Sequence, residues 1–242
     1  MPHSNAQRDA SQFPGRTRSD PLSPTTLNAK LFTGLDQESI HFILDAAQIK
    51  QFTSKQTIVT ESEKATHLFL LERGRVRYYK LDKSGHQLLL LWFVPGDIFG
   101  LGTLFSGPMR NPGTAEAITR GEVWEWDYAS VRRLIGLYPL LAENGFRILL
   151  GYMEAYGKRH AGLLTRTAEQ RLADTLLDLG HRSGHAHPKG VEIDITNEHL
   201  GALADVGLFT TSRLLSGWQR KGAVSKMRGK ILIRSPEFLL IE

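Results

Sequence analysis

At 242 residues and 41% apolar composition, the chain is long enough for two buried cores, and its lack of cysteine excludes disulfides, thiolate catalysis, Cys-ligated zinc and Cys-held iron–sulfur clusters. The formal charge is +5, and residues 207–242, with seven basic side chains against Glu237 and Glu242, carry all of it. One end of a near-neutral chain is thus suited to a polyanion.

Residues 1–26 are rich in Ser, Pro, Thr, Arg and Gln, a composition too poor in apolar groups to offset ordering entropy, and are expected to form a flexible tail. They lack the apolar core of a secretory signal, and no apolar run in the chain approaches the roughly 20 residues that span a bilayer. The expectation is a cytoplasmic protein with no membrane partner. Leu31, Phe32, Leu35, Ile40, Ile43 and Leu44 fit a short amphipathic helical lead-in. To about Trp126, short apolar runs then alternate with turn signals at Gly74, Asp82–Gly85, Pro95-Gly96-Asp97, Gly107-Pro108 and Asn111-Pro112-Gly113, the pattern of a β-barrel or roll.

From Asp127 to His160 only Pro139 breaks a helical pattern, and Pro139 suits a first turn. Leu141, Gly145, Ile148, Tyr152 and Ala155 form one stripe; Leu149, Met153 and Tyr156 form a second. A helix with two apolar sides can pack on its own domain and on a symmetry mate. A further helix is predicted from Thr167 to Leu179, with Gly180 as its stop and residues 181–190 as an exposed polar loop. Val191–Ile195 alternates as a half-buried strand does, and Thr196 can cap the helix that follows. That helix should run from Asn197 to Ala204 and break at Asp205-Val206-Gly207, with a second from Leu208 to Lys221 burying Thr211, Leu214, Leu215 and Trp218. Residues 224–226 and 231–233 make a hairpin about Met227-Arg228-Gly229, a wing.

The second helix leaves Leu208, Phe209, Ser212 and Arg213 on its outer side, as base-reading candidates. Arg213 can fork onto guanine O6 and N7, while Leu208 and Phe209 can meet only apolar features such as the thymine methyl. Thr196, Thr210, Thr211, Arg220, Lys221, Lys226 and Arg228 are the phosphate candidates, which add salt-dependent affinity without sequence preference.

Together these segments resemble the family of the cyclic-AMP receptor protein and the fumarate and nitrate reduction regulator. The likeness covers nearly all of residues 27–242. It rests in the first half on Leu31–Leu35, Leu71–Val76 and Pro95–Gly100, and in the second on Thr196–Leu200, Thr211–Leu215 and Arg220-Lys221-Gly222. It implies an α+β chain with a cyclic-nucleotide-binding-like β-roll (27–137), a long dimerisation helix (138–163) and a winged helix-turn-helix (164–242). The implied partners are double-stranded DNA, a second copy, RNA polymerase and a small-molecule effector; a two-fold dimer should recognise an inverted repeat. One departure concerns the operator: family members usually carry Glu where Phe209 stands, so a cytosine-reading carboxylate is missing.

The resemblance also locates an effector pocket, over Gly100, Leu101, Gly102, Asn111, Gly113, Thr114, Tyr152 and Tyr156, with dimer core as the alternative role of the two tyrosines. Relatives that bind cyclic AMP use a Gly-Glu-Leu segment for the ribose and an Arg-Ser pair for the phosphate; Gly100-Leu101-Gly102 and Asn111-Pro112 stand there instead. Neither the ribose acceptor nor the charge-assisted clamp is present, so cyclic AMP is disfavoured. Arg110 adjoins the missing clamp and reads most simply as an exposed loop arginine. No cofactor is predicted, although haem ligation by His86 or His160 stays open. His181, His185 and His187 could hold a divalent ion, but no carboxylate adjoins them in sequence, and no metal site is assigned. Between the long helix and the DNA-binding half, Gly162–Thr165 is the expected movable junction. Two other readings remain: an effector-independent regulator with a vestigial sensor, and a metal-dependent enzyme built on the His-rich loop. No Ser/His/Asp arrangement or phosphate-cradling loop supports catalysis.

Overall fold

The computed structural model describes residues 23–107 and 109–239. Of the flexible tail expected over residues 1–26, residues 1–22 lie outside the described residues, as do Pro108 and residues 240–242. Residues 23–26 depart from the expectation. Ser23 caps a short helix, α1 (Pro24–Leu27), by accepting from the Thr26 N–H at 3.1 Å. Thr26 is buried and its hydroxyl donates to the Glu72 carboxylate, which Trp124 Nε1 also meets at 3.1 Å. A buried carboxylate needs such donors, and that requirement orders the segment.

A 3-10 turn (Lys30–Phe32) and α2 (Gln37–Asp45, capped by Asp36) lead into the roll. Its eight strands are β1 (Gln48–Phe52), β2 (Thr57–Val59), β3 (His67–Arg73), β4 (Val76–Leu81), β5 (Gln87–Phe93), β6 (Ile98–Phe99), β7 (Thr114–Ala117) and β8 (Gly121–Asp127). They pair antiparallel in two sheets, ordered β1-β8-β3-β6 and β2-β7-β4-β5. Phe52, Phe69, Val76, Phe93 and Val123 fill the space between the sheets. The outer face of the first sheet buries Leu68, Leu70, Trp124 and Trp126 against α2, α3 (Tyr128–Leu137) and α4 (Leu140–Thr165). Trp126 Nε1 donates to the Ile43 carbonyl at 2.7 Å, and buried Asn144 on α4 donates to the Leu31 and Thr33 carbonyls at 2.9 and 2.8 Å. The lead-in is thereby clamped beneath the long helix.

The C-terminal unit comprises α5 (Ala168–Ser183), β9 (His185–His187), β10 (Gly190–Asp194), α6 (Asn197–Ala204), α7 (Leu208–Arg220), β11 (Val224–Met227) and β12 (Lys230–Ile233). Its strands lie in the order β11-β12-β10-β9. Three expectations are corrected here. α5 runs through Gly180, where a Cβ would stand 3.2 Å from Ile233 of the wing; Gly180 serves close packing, and the chain leaves the helix at Gly184. Residues 181–190 are not one exposed loop, because 181–183 complete α5 and β9 pairs with β10, Ala186 opposite Val191. Backbone bonds rather than side-chain alternation hold that strand. Finally, α4 continues through Gly162–Thr165, and the break falls at extended Arg166, next to the Thr167–Gln170 capping box of α5. Among the described residues no helix is long and apolar enough to cross a membrane.

Candidate nucleic-acid interface and effector cavity

α6 and α7 are positioned by local chemistry and by one close contact. Thr196 caps α6 by accepting from the His199 N–H at 3.2 Å, Asp205 ends it in a left-handed conformation, and Gly207 opens α7. Where the two helices cross, a Cβ on Gly201 would stand 2.6 Å from both the Thr211 hydroxyl and the Val206 carbonyl. Only glycine permits that approach, a signal that hydrophobic periodicity alone does not carry. Thr211, Leu215 and Trp218 are buried beneath α7, and Trp218 Nε1 donates to Glu169 at 3.1 Å.

The outer side of α7 is bare. Phe209 is 91% exposed, Leu208 is half exposed and Arg213 is exposed. Ser212 is half-buried and accepts from Asn197 Nδ2 at 3.3 Å, which ties it to α6. Among the phosphate candidates Thr196, Arg220, Lys221 and Arg228 are exposed and Thr210 is half-buried. Thr211 is corrected: it is wholly buried and its hydroxyl turns inward to the Val206 carbonyl, so it cannot reach a phosphate. Lys226 is half-buried and donates to Ser216 Oγ at 2.9 Å. Lys230, which counts toward the basic end, faces Glu192 and Asp194 and is largely neutralised.

The long helix meets the roll around a cavity of about 500 Å3. Gly100, Leu101, Gly102, Asn111, Tyr152 and Tyr156 line it, as expected from the sequence. Gly113 and Thr114 are corrected. Gly113 sits behind Tyr78, where a Cβ would press on the ring at 3.0 Å, and the Thr114 hydroxyl accepts from the Glu61 N–H at 3.1 Å. The sequence reading misses the wall formed by Tyr78, Leu91, Phe93, Phe99 and Met109. These residues stand on separate strands and a loop, and only the folded roll assembles them. The Tyr152 hydroxyl donates to the Ile98 carbonyl at 2.8 Å, and burial holds the phenol protonated. Arg110 Nη1 donates to the Ser62 carbonyl at 2.6 Å.

Strand β5 joins the two regions. Leu91 and Phe93 face the cavity, whereas Trp92, pointing the other way, is buried in the core of the C-terminal unit with Leu200 and Val206. The Trp92 ring lies 5.2 Å from that of His199, whose burial lowers its pKa. Arg159 on α4 clamps the Asp205 carboxylate at 2.6 and 2.9 Å and donates to the Leu89 carbonyl at 2.6 Å. Arg182 on α5 donates to Asp97 at 2.9 Å. Of the histidines, His86 is exposed beside Asp82, His160 is exposed on α4, and His185 lies 3.6 Å from Asp194. Among the described residues no three His, Cys, Asp or Glu side chains are grouped for a metal.

Comparison with known proteins matches both halves. Residues 49–138 match the model of the cyclic nucleotide-binding domain, and residues 170–240 that of the Crp-like helix-turn-helix domain. The chain is 26% identical over 196 residues to the cAMP-activated global transcriptional regulator CRP of Pasteurella multocida, covering 81% of this chain and 93% of the relative. It is 25% identical over 214 residues to the CRP-like cAMP-activated global transcriptional regulator of Mycobacterium tuberculosis, covering 87% and 95%. The solved structure of FixK2 from Bradyrhizobium japonicum superposes with a TM-score of 0.70 at 26% identity, over 80% of this chain and 95% of that one. These relatives are transcription regulators rather than enzymes, and they share the order of roll, long helix and helix-turn-helix. With a nucleotide-binding-type roll before a Crp-like DNA-binding unit, the chain belongs to the Crp/Fnr family of transcription regulators.

Proposed function

We propose that the protein is a cytoplasmic homodimeric regulator that places α7 of each copy in successive major grooves of an inverted repeat and responds to an effector in the cavity beside α4. The carrying observation is the bare outer side of α7, with exposed Arg213 flanked by Leu208 and Phe209 and backed by exposed Arg220, Lys221 and Arg228. Leu208, Phe209, Ser212 and Arg213 read bases. Thr196, Thr210, Arg220, Lys221, Lys226 and Arg228 serve the backbone, Lys226 once it leaves Ser216. RNA polymerase is the expected protein partner. The working division is a roll through about residue 137, a dimerisation helix to about residue 165 and a DNA-binding unit beyond it.

Selection of bound sequences from random DNA tests this reading. The expected result is an inverted repeat. Eight cationic phosphate contacts per dimer, from Arg220, Lys221, Lys226 and Arg228 of each copy, give a slope of about −7 for log affinity against log salt. A flat salt response or a direct repeat would refute it.

Dimerisation is supported by a stripe on α4. Phe146, Leu150, Met153 and Leu164 are 52%, 48%, 64% and 79% exposed, on a 4-3 repeat that passes through Gly157 and His160. Such spacing forms a coiled-coil seam. Combining Leu150→Glu with Met153→Glu places four carboxylates in it, so sedimentation should give a monomer with operator binding lost. A variant that stays dimeric would rule this seam out.

The effector role is supported by β5, whose Leu91 and Phe93 wall the cavity while Trp92 anchors the DNA-binding unit. A ligand that shifts β5 bears directly on α6, and it changes the DNA-binding equilibrium by its difference in affinity for the two arrangements. Cyclic AMP fits poorly, since Leu101 stands where the ribose would need a carboxylate.

A further inference from the structure

We propose that this cavity takes an uncharged, largely apolar molecule carrying a planar ring and one hydrogen-bond acceptor, a class that shares neither the charge nor the ribose of a cyclic nucleotide. The inference rests on the effector reading above and specifies its ligand. At about 500 Å3 the space falls within the range of small-molecule sites, about 300–1,000 Å3. Phe93, Phe99, Tyr78 and Tyr152 line it, and Phe69 stacks behind Phe99, outside the lining. Phe99 lies between Phe69 and Phe93, at 4.8 and 5.2 Å between centroids and 13° and 16° between planes, and Tyr152 tilts onto Phe93 at 5.7 Å. A flat ring can pack against this aromatic wall, and Leu101, Met109 and Leu149 close around it.

The polar groups decide the charge. Among the described residues, Arg110 is the only charged one that lines the cavity. It is exposed at the rim, with Nη1 committed to the Ser62 carbonyl, so a solvated guanidinium adds little attraction for an anion. An anion deeper in would lose its hydration without a partner, and the described lining residues include no carboxylate to receive a cation, Glu61 behind the wall being paired with Lys80. Asn111 Nδ2 gives one N–H to the Thr60 carbonyl at 3.1 Å, and the Tyr152 hydroxyl donates its proton to Ile98. Of the two remaining phenols on the lining, Tyr78 is the more buried, since Tyr156 is 52% exposed on α4. Burial pushes the Tyr78 pKa up to about 12, against a hydrogen bond from the Gly113 backbone N–H and with the Glu61 carboxylate adding to the rise. The phenol therefore keeps its proton at neutral pH and can donate it to an ester, ketone or ether oxygen, which would fix the orientation of the ring.

The test uses the full-length protein, with N-phenyl-1-naphthylamine as a neutral fluorescent probe and methyl benzoate, benzoate and cyclic AMP as competitors. The probe should bind saturably, one per chain, and methyl benzoate should displace it at least tenfold more effectively than benzoate. Tyr78→Phe should weaken methyl benzoate three- to tenfold, as expected for the loss of one neutral hydrogen bond, and leave the probe unchanged. Met109→Arg puts a cation on the exposed cavity wall and should abolish probe binding without lowering the melting temperature. Benzoate or cyclic AMP binding as tightly as the neutral ester would overturn the ligand class. If either also shifted operator affinity, the effector reading would survive. Saturable binding by none of the four, with operator affinity unmoved by any, would overturn both.

Discussion

Replacing Trp218 with Ala is expected to unfold the DNA-binding unit well before the roll, at a cost of about 3–5 kcal/mol. Trp218 is 1% exposed, and its indole occupies the centre of a core that includes Leu172, Leu176, Leu200 and Leu215. Its Nε1–H also satisfies Glu169 at the start of α5, so truncation leaves both a cavity and an unpartnered carboxylate oxygen. For a unit of about 75 residues melting on its own, the loss corresponds to a fall in melting temperature on the order of 20 °C. Trp218→Phe keeps most of the apolar volume and gives up the hydrogen bond, so it should cost much less. Because Trp218 is on the side of α7 opposite Arg213, operator binding should fail only as the unit melts and should recover on cooling. Calorimetry in which Trp218→Ala melts like the parent would contradict this account of the core.

The helix-turn-helix is legible in the sequence because each of its boundaries is set by neighbouring residues. Thr196 caps, Asp205 and Gly207 break, and Leu200, Leu215 and Trp218 keep a helical period. The roll is legible as a class for a similar reason, since turn residues separate short apolar runs. Long-range contacts decide the rest. Ser23–Thr26 reads as tail until Glu72, 46 residues beyond Thr26, supplies the partner that orders it. Gly180 reads as a stop until the wing packs against it. His185–His187 shows no alternation because its pairing with β10 is made by the backbone. In the candidate site, the family likeness locates Gly100–Gly102 and Tyr152. Tyr78, Phe93 and Phe99 come together only when both sheets close. Trp92 is the clearest instance: it stands on a strand of the roll, yet the surface that buries it belongs to the DNA-binding unit.

Arg213→Ala should produce the largest loss of specific affinity. A forked contact to guanine discriminates by about 1–3 kcal/mol, and a two-fold dimer makes it twice, so the operator should weaken by about 2–6 kcal/mol, roughly 30-fold to more than 10,000-fold. The pattern of loss carries more information than its size. If Arg213 reads a base, selection with the variant should lose preference at one position in each half-site, and binding to non-specific DNA and the salt slope should hardly change. Arg220→Ala should do the opposite, weakening all sequences alike and lowering the salt slope by about 2 per dimer. Phe209 supplies the complementary gain. It is 91% exposed and stands where relatives usually carry Glu, so Phe209→Glu restores an acceptor for the cytosine amino group and should shift the half-site toward cytosine at the adjacent position. Uniform weakening by Arg213→Ala would instead make it a backbone contact and leave base reading to Leu208, Phe209 and Ser212. Two apolar side chains and one hydroxyl discriminate less than a guanidinium fork, so the selected operator should then be degenerate at its guanines.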